Sequence, residues 1–154
     1  MAAIVVRRAA GAPSGAVWAV LTGFADYGRW IPLTTMVVDP PPVRVGWGFA
    51  GRTGLGPVRF VDSMLVTRWE PPSREGRAGF RVRKTGRLLA GWADITIAAG
   101  DDGGAVVVWR EEIIVRPEVL GRRIAPLVDR VAARVFAGAV DRMLATAQAG
   151  SRSR

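Results

Sequence analysis

The chain of 154 residues contains no cysteine and no histidine. The first absence excludes disulfides, thiolate nucleophiles and thiolate metal ligands. The second excludes a Ser-His-Asp triad, imidazole metal ligation and imidazole acid–base chemistry. There is one lysine, Lys84, and one tyrosine, Tyr27. Any catalysis is left to these two side chains, carboxylates, hydroxyls and arginines, and no metal or cofactor is expected. No run of 18 apolar residues occurs, so no membrane-spanning helix is expected. In residues 1–8 the charges follow the apolar stretch, the reverse of a signal peptide, which points to a cytoplasmic location.

Acidic charge is also scarce. The 22 basic residues against 13 acidic leave a net charge of +9, and 21 of the 22 are arginine. The arginines are scattered (Arg7-Arg8, Arg81, Arg83, Arg87, Arg122-Arg123, Arg152, Arg154), and no helix-turn-helix, zinc-finger or aromatic RNA-binding signature accompanies them. They read as a solvated basic surface, with no nucleic-acid partner. The glycine-rich stretch Gly51–Gly56 (GRTGLG) lacks the Lys-Ser/Thr of a phosphate loop and no helix follows it.

What the chain does have is one long alternation of strands and turns. Ile4–Ala10 is a first strand, Pro13-Ser14 opens a short helix that Gly23 ends, and Phe24–Trp30 is a second short helix. Strands are predicted at Thr34–Asp39, Val43–Arg52, Val58–Trp69, Gly79–Thr85, Leu89–Ala98 and Ala105–Arg116, separated by Pro, Gly and Asp turns. After Pro117 apolar residues recur at helical spacing from Leu120 to Leu144, predicting a helix from Glu118 to Ala147 with a kink at Pro126. Residues 1–149 form one domain, and Gly150–Arg154 are expected to be a disordered tail. A curved antiparallel sheet covered by one long helix is an α+β arrangement that leaves room for a cavity between them.

Alternation along the strands singles out three charges. Neighbouring strand residues face opposite ways, so Glu111 and Glu112 cannot share a face. Glu111 falls in the apolar set Ala105, Val107, Trp109, Ile113 and Val115; Glu112 falls in the mixed set. The same test turns Lys84 inward with Phe80 and Val82, and Asp62 inward with Phe60, Met64 and Val66. In Leu89–Ala98 it leaves Trp92 and Asp94 outside. Three readings stay open for Asp62, Lys84 and Glu111: a buried ion pair or triad, contact with a polar group of a ligand, or proton transfer between carboxylates with separated pKa values. Of the six tryptophans most are expected in the core, with Trp109 and then Trp30 the best placed to line a cavity.

With these residues in place, the chain resembles the START/Bet v 1-like helix-grip superfamily (SRPBCC), and within it the bacterial polyketide cyclase/dehydrase-like group. The resemblance rests on Ala12-Pro13 and Val17-Trp18, Phe24–Thr34 (FADYGRWIPLT), Phe60–Met64 (FVDSM), Val66–Pro72 (VTRWEPP), Lys84–Arg87 (KTGR), Trp109–Glu112 (WREE) and the long terminal helix. Members of the pattern carry histidine where this chain has Lys84. The resemblance implies a helix-grip fold, with two short helices after strand 1, that binds an apolar or aromatic small molecule such as a polyketide, lipid or related metabolite. Glu111, Lys84, Asp62, Trp109, Trp30 and Thr34 are the expected ligand-binding residues. The alternatives are a cyclase/dehydratase-like enzyme using the cavity carboxylates, and an interaction protein or homodimer using an exposed aromatic such as Trp92.

Overall fold

Proline and glycine punctuate the chain, and the strands between them alternate cleanly enough to bury one face. In the computed structural model, which describes residues 3–153 apart from the side chain of Leu120, β1 (Ile4–Ala10) leads into α1 (Ser14–Leu21) and a 3-10 segment, Phe24–Arg29. Six strands follow: β2 (Thr34–Val38), β3 (Gly48–Leu55), β4 (Val58–Glu70), β5 (Ala78–Thr85), β6 (Leu89–Ala99) and β7 (Ala105–Val115). The chain ends in α2 (Glu118–Arg152). All neighbouring strands are antiparallel, in the order β1-β7-β6-β5-β4-β3-β2. This is the helix-grip α+β arrangement that the sequence predicts.

Most expected bounds hold to within one residue, and three elements depart in ways that matter. β3 starts at Gly48, not Val43, because Asp39 accepts the Gly48 amide at 2.7 Å and Gly46 turns the chain with φ +87°. In β4 the register shifts between Val66 and Arg68, so that Trp69, not Arg68, pairs with Phe80 and turns inward. α2 runs on through Gly150 to Arg152 instead of fraying there, with the Ser151 and Ser153 hydroxyls donating to the carbonyls of Gln148 and Ala149.

The inner face of the sheet has two ends of different character. At one end Phe24 stacks on Phe49 (centroids 4.4 Å apart) and meets Phe80 edge-on at 5.4 Å, while Trp18 lies 4.7 Å from Trp69. These aromatics, with Leu21, Ile95 and Val107, form a solid core. α2 packs on α1, β1 and β7, and its buried stretch is Ala139, Val140, Met143, Leu144 and Ala147. Among its described earlier residues all but Gly121 are half-buried or exposed, and so are Thr34, Met36, Phe60, Asp62 and Met64 on the inner face of β2 and β4. The helix therefore grips the β1–β7 side tightly and leaves the inner face of β2 and β4 partly uncovered.

Candidate functional site

The charged cluster sits in the last inward-facing rows before that uncovered end. Met64, Lys84, Gly91 and Ile113 are cross-strand partners in one row, and Glu111 lies one row toward the core, opposite Ala93. Asp62, opposite Gly51, lies one row the other way, toward the sheet end. β6 separates β5 from β7, which puts Lys84 and Glu111 two strand spacings, roughly 10 Å, apart at the backbone. Their side chains meet across β6 because its inward residues there are Gly91 and Ala93, with nothing to block the path.

There the Lys84 ammonium donates to Asp62 Oδ2 at 2.5 Å and lies 3.1 Å from Glu111 Oε1. The indole N–H of Trp109 donates to Glu111 Oε2 at 3.1 Å, and its ring stacks on Phe136 of α2 with centroids 6.1 Å apart. Glu111 is 2% and Lys84 4% exposed, whereas the Asp62 side chain keeps 15%. Asp62 is thus the member nearest solvent, and its Oδ1 is buried without a hydrogen-bond partner. A buried acceptor left unpaired is costly, and its presence needs a reason.

Burial and charge act against each other on Lys84 and Glu111. Burial alone would lower the Lys84 pKa, but Glu111 and Asp62 outweigh it and raise the pKa above 10.5, keeping the ammonium charged. For Glu111 desolvation dominates and raises the pKa above 4.5, despite the opposing pull of Lys84 and the Trp109 hydrogen bond. The reason is that one ammonium is shared: Asp62 takes its shorter contact, and Glu111 is compensated only in part. Tyr27, whose hydroxyl donates to the Leu21 carbonyl at 2.6 Å, is pushed up by burial and then by Glu111.

A folded-state pKa above 4.5 means that the fold holds the Glu111 proton more tightly than the unfolded chain does. Its contribution is fully present below 4.5 and is lost as pH rises through the raised value. Relative to Glu111→Gln, the wild type should therefore lose urea resistance as pH climbs from about 4.5. Urea midpoints of both proteins from acid to mildly alkaline pH measure this, and a pH-independent difference would contradict it.

Of the six expected site residues, four come together: Asp62, Lys84, Glu111 and Trp109. Trp30 and Thr34 lie apart from them, on the side of the 3-10 segment and β2. Thr34 already bonds Thr53 at 2.7 Å and the Pro32 carbonyl at 3.1 Å, whereas the Trp30 indole N–H is buried and unpaired. Gly91, Ala93 and Phe136 are integral to the site and were missed as such; the pair of small residues on one face of β6 was the available signal. Trp92 is on the outer face as expected but is half-buried, its N–H donating to Glu112 at 2.7 Å and its ring covered by Arg81 at 4.7 Å. It offers no bare aromatic patch. Two surface concavities of about 860 and 750 Å³ lie over this outer face, the first beside Trp92 and Arg81, the second beside Arg7 and Thr96. Among the described residues no group of His, Cys, Asp or Glu has the placement of a metal site.

Comparison with known proteins agrees with this architecture. A family model described as polyketide cyclase / dehydrase and lipid transport matches residues 1–149. In fold the chain is similar to the protein TTHA0849 from Thermus thermophilus (TM-score 0.75, 11% identity, 97% of this chain and 99% of that one). It is similar also to the Zhui aromatase/cyclase from Streptomyces sp. R1128 (TM-score 0.70, 14% identity, covering 96% and 93%). Norcoclaurine synthase from Thalictrum flavum shares the fold as well (TM-score 0.61, 15% identity, covering 94% and 94%). At such identities the likeness establishes the fold alone. No curated protein matches by sequence.

Proposed function

This chain belongs to the polyketide cyclase / dehydrase and lipid transport family, and we propose that it binds an apolar or aromatic small molecule carrying a hydroxyl group, held between the sheet and α2. The observation that carries this reading is the unpaired Asp62 Oδ1, buried beside Lys84 on a mostly apolar inner face. A ligand hydroxyl donating to that oxygen would satisfy it, and the Trp30 indole N–H, also unpaired though apart from the cluster, is a donor for a second polar atom of a ligand long enough to reach it. Met36, Met64 and Phe136, all partly buried, supply adaptable apolar surface for the remainder of the molecule. The Lys84 ammonium, donating to Asp62 Oδ2, holds the carboxyl group in place with Oδ1 left over for a ligand.

A hydrogen bond to a carboxylate contributes roughly 1.5–3 kcal/mol, so 1-naphthol should bind at least about tenfold more tightly than naphthalene. Asp62→Leu should erase that preference while naphthalene still binds. Quenching of tryptophan fluorescence reports both affinities. Equal binding of the two probes by the wild type, or no binding of either, would overturn the reading.

A catalytic reading draws on one observation, the raised pKa of Glu111, which lets a buried carboxyl keep or take up a proton beside the Lys84 ammonium. In a cyclase- or dehydratase-like reaction Glu111 would move that proton. Glu111→Gln would then abolish turnover of an identified ligand while leaving its binding nearly intact; equal loss of both would leave Glu111 a binding residue only.

A further inference from the structure

The two ends of the sheet differ in surface as sharply as in packing. At the end nearest Asp62, the β3–β4 turn, the β5–β6 turn, the link into β2 and the start of α2 come together. Leu55 pairs with Val58 across the first turn, the Gly54 amide donates to the Leu33 carbonyl at 3.1 Å, and the Arg116 amide donates to the Leu88 carbonyl at 2.8 Å. Each of these segments leaves a large apolar side chain in solvent: Leu33 61%, Leu55 71%, Val58 74%, Leu88 49% and Val119 68% exposed. Segments 31–34, 54–59, 86–89 and 116–123 also hold five arginines (Arg59, Arg87, Arg116, Arg122, Arg123) and one acid, Glu118. All five arginines are exposed, and none is in an ion pair among the described residues.

The opposite end has the reverse character. Its turns, 39–47, 70–77 and 100–104, carry five acids against three arginines and a single comparably exposed aliphatic, Val45 at 61%. The molecule is therefore polarised along its strands, apolar and cationic where the inner face is least covered.

We propose that this end docks on an anionic lipid surface, Leu33, Leu55, Val58, Leu88 and Val119 entering the acyl boundary while the arginines engage phosphates. The apolar groups stand on four separate segments with arginines among them, which suits a fluid surface that fills the gaps. A second copy of the chain would set the same cationic ring against itself, and like charges repel. The proposal rests on the surface alone and goes beyond the ligand proposed above. If both hold, the partly uncovered inner face turns toward the bilayer, and an apolar ligand crosses between them with little exposure to water.

Co-sedimentation with vesicles tests it. The wild type should bind vesicles of phosphatidylcholine mixed with phosphatidylglycerol, far less to phosphatidylcholine alone, and should be released by high salt. Arg59→Gln with Arg122→Gln should lower partitioning about 25-fold, from roughly fivefold per charge. Leu55→Ser with Val58→Ser should lower it at least about tenfold, since each buried CH2 is worth roughly fourfold. Val45→Ser, at the other end, should change nothing. Absence of wild-type binding to the mixed vesicles overturns the proposal. So does loss with the arginine changes alone, which would instead mark a site for an acidic macromolecule. Asp62→Leu should leave vesicle binding intact, so the docking surface and the proposed ligand binding fail separately.

Discussion

Lys84→Met is expected to destabilise the protein by about 3–5 kcal/mol at neutral pH, because it leaves buried carboxylates without their cation. Methionine replaces the length and apolar stem of lysine, so packing changes little and the loss is electrostatic. Asp62 and Glu111 both lie against the same ammonium, at 2.5 and 3.1 Å. No other cation forms an ion pair with either among the described residues. Single domains commonly have only about 5–15 kcal/mol of stability, so this one change threatens folding at physiological temperature. Acid should reverse much of the defect, since protonated carboxyls no longer need a counter-charge, and Glu111→Gln added to Lys84→Met should recover part of it at neutral pH. Urea unfolding at neutral and acid pH reads all three. A loss under about 1 kcal/mol, or one that acid does not relieve, would show that the cluster does not depend on Lys84 in this way.

Gly91→Ala should cost about 3 kcal/mol or more, although it adds one methyl group. Gly91 has φ +119°, outside the range open to other residues, and a Cβ built there would collide with the Glu112 carbonyl oxygen. That oxygen belongs to the neighbouring backbone in the middle of the sheet, so relief requires the β6–β7 pairing itself to shift. Gly91 is also the β6 partner of Lys84, and displacing it would disturb the path by which Lys84 reaches Glu111. Gly103 is the internal comparison: it has φ +79° with nothing within 4 Å, so Gly103→Ala should cost only about 1 kcal/mol. Similar unfolding midpoints for the two variants would mean that the contact with Glu112 is not the cause.

The two predictions show how unevenly the site could be read in advance. Lys84, Asp62 and Glu111 were recognisable one strand at a time, because a period of two forces a charge in an apolar set to face inward. Trp109 followed by the same rule. The role of Gly91 was not recognisable, because glycine in a strand predicts weakness or a bulge and only the backbone φ reveals which. Trp69 was hidden for a related reason: the extra residue between Val66 and Arg68 inverts the alternation, and no residue type there announces it.

By itself the sequence determined the local elements and the inward or outward side of most strand residues, since periodicity and turn chemistry act over a few positions. It also determined the available chemistry, for a chain without cysteine or histidine is left with carboxylates, one lysine, one tyrosine, hydroxyls and arginines. Tertiary structure alone decided that residues as far apart as Asp62, Lys84 and Glu111 would share one ammonium, with Asp62 left the most exposed of the three. It alone brought Leu33, Leu55, Leu88 and Val119 to the same end. Those outcomes depend on which strands become neighbours and in what register. Pairing across long stretches of chain sets both, and it leaves no mark within any single segment.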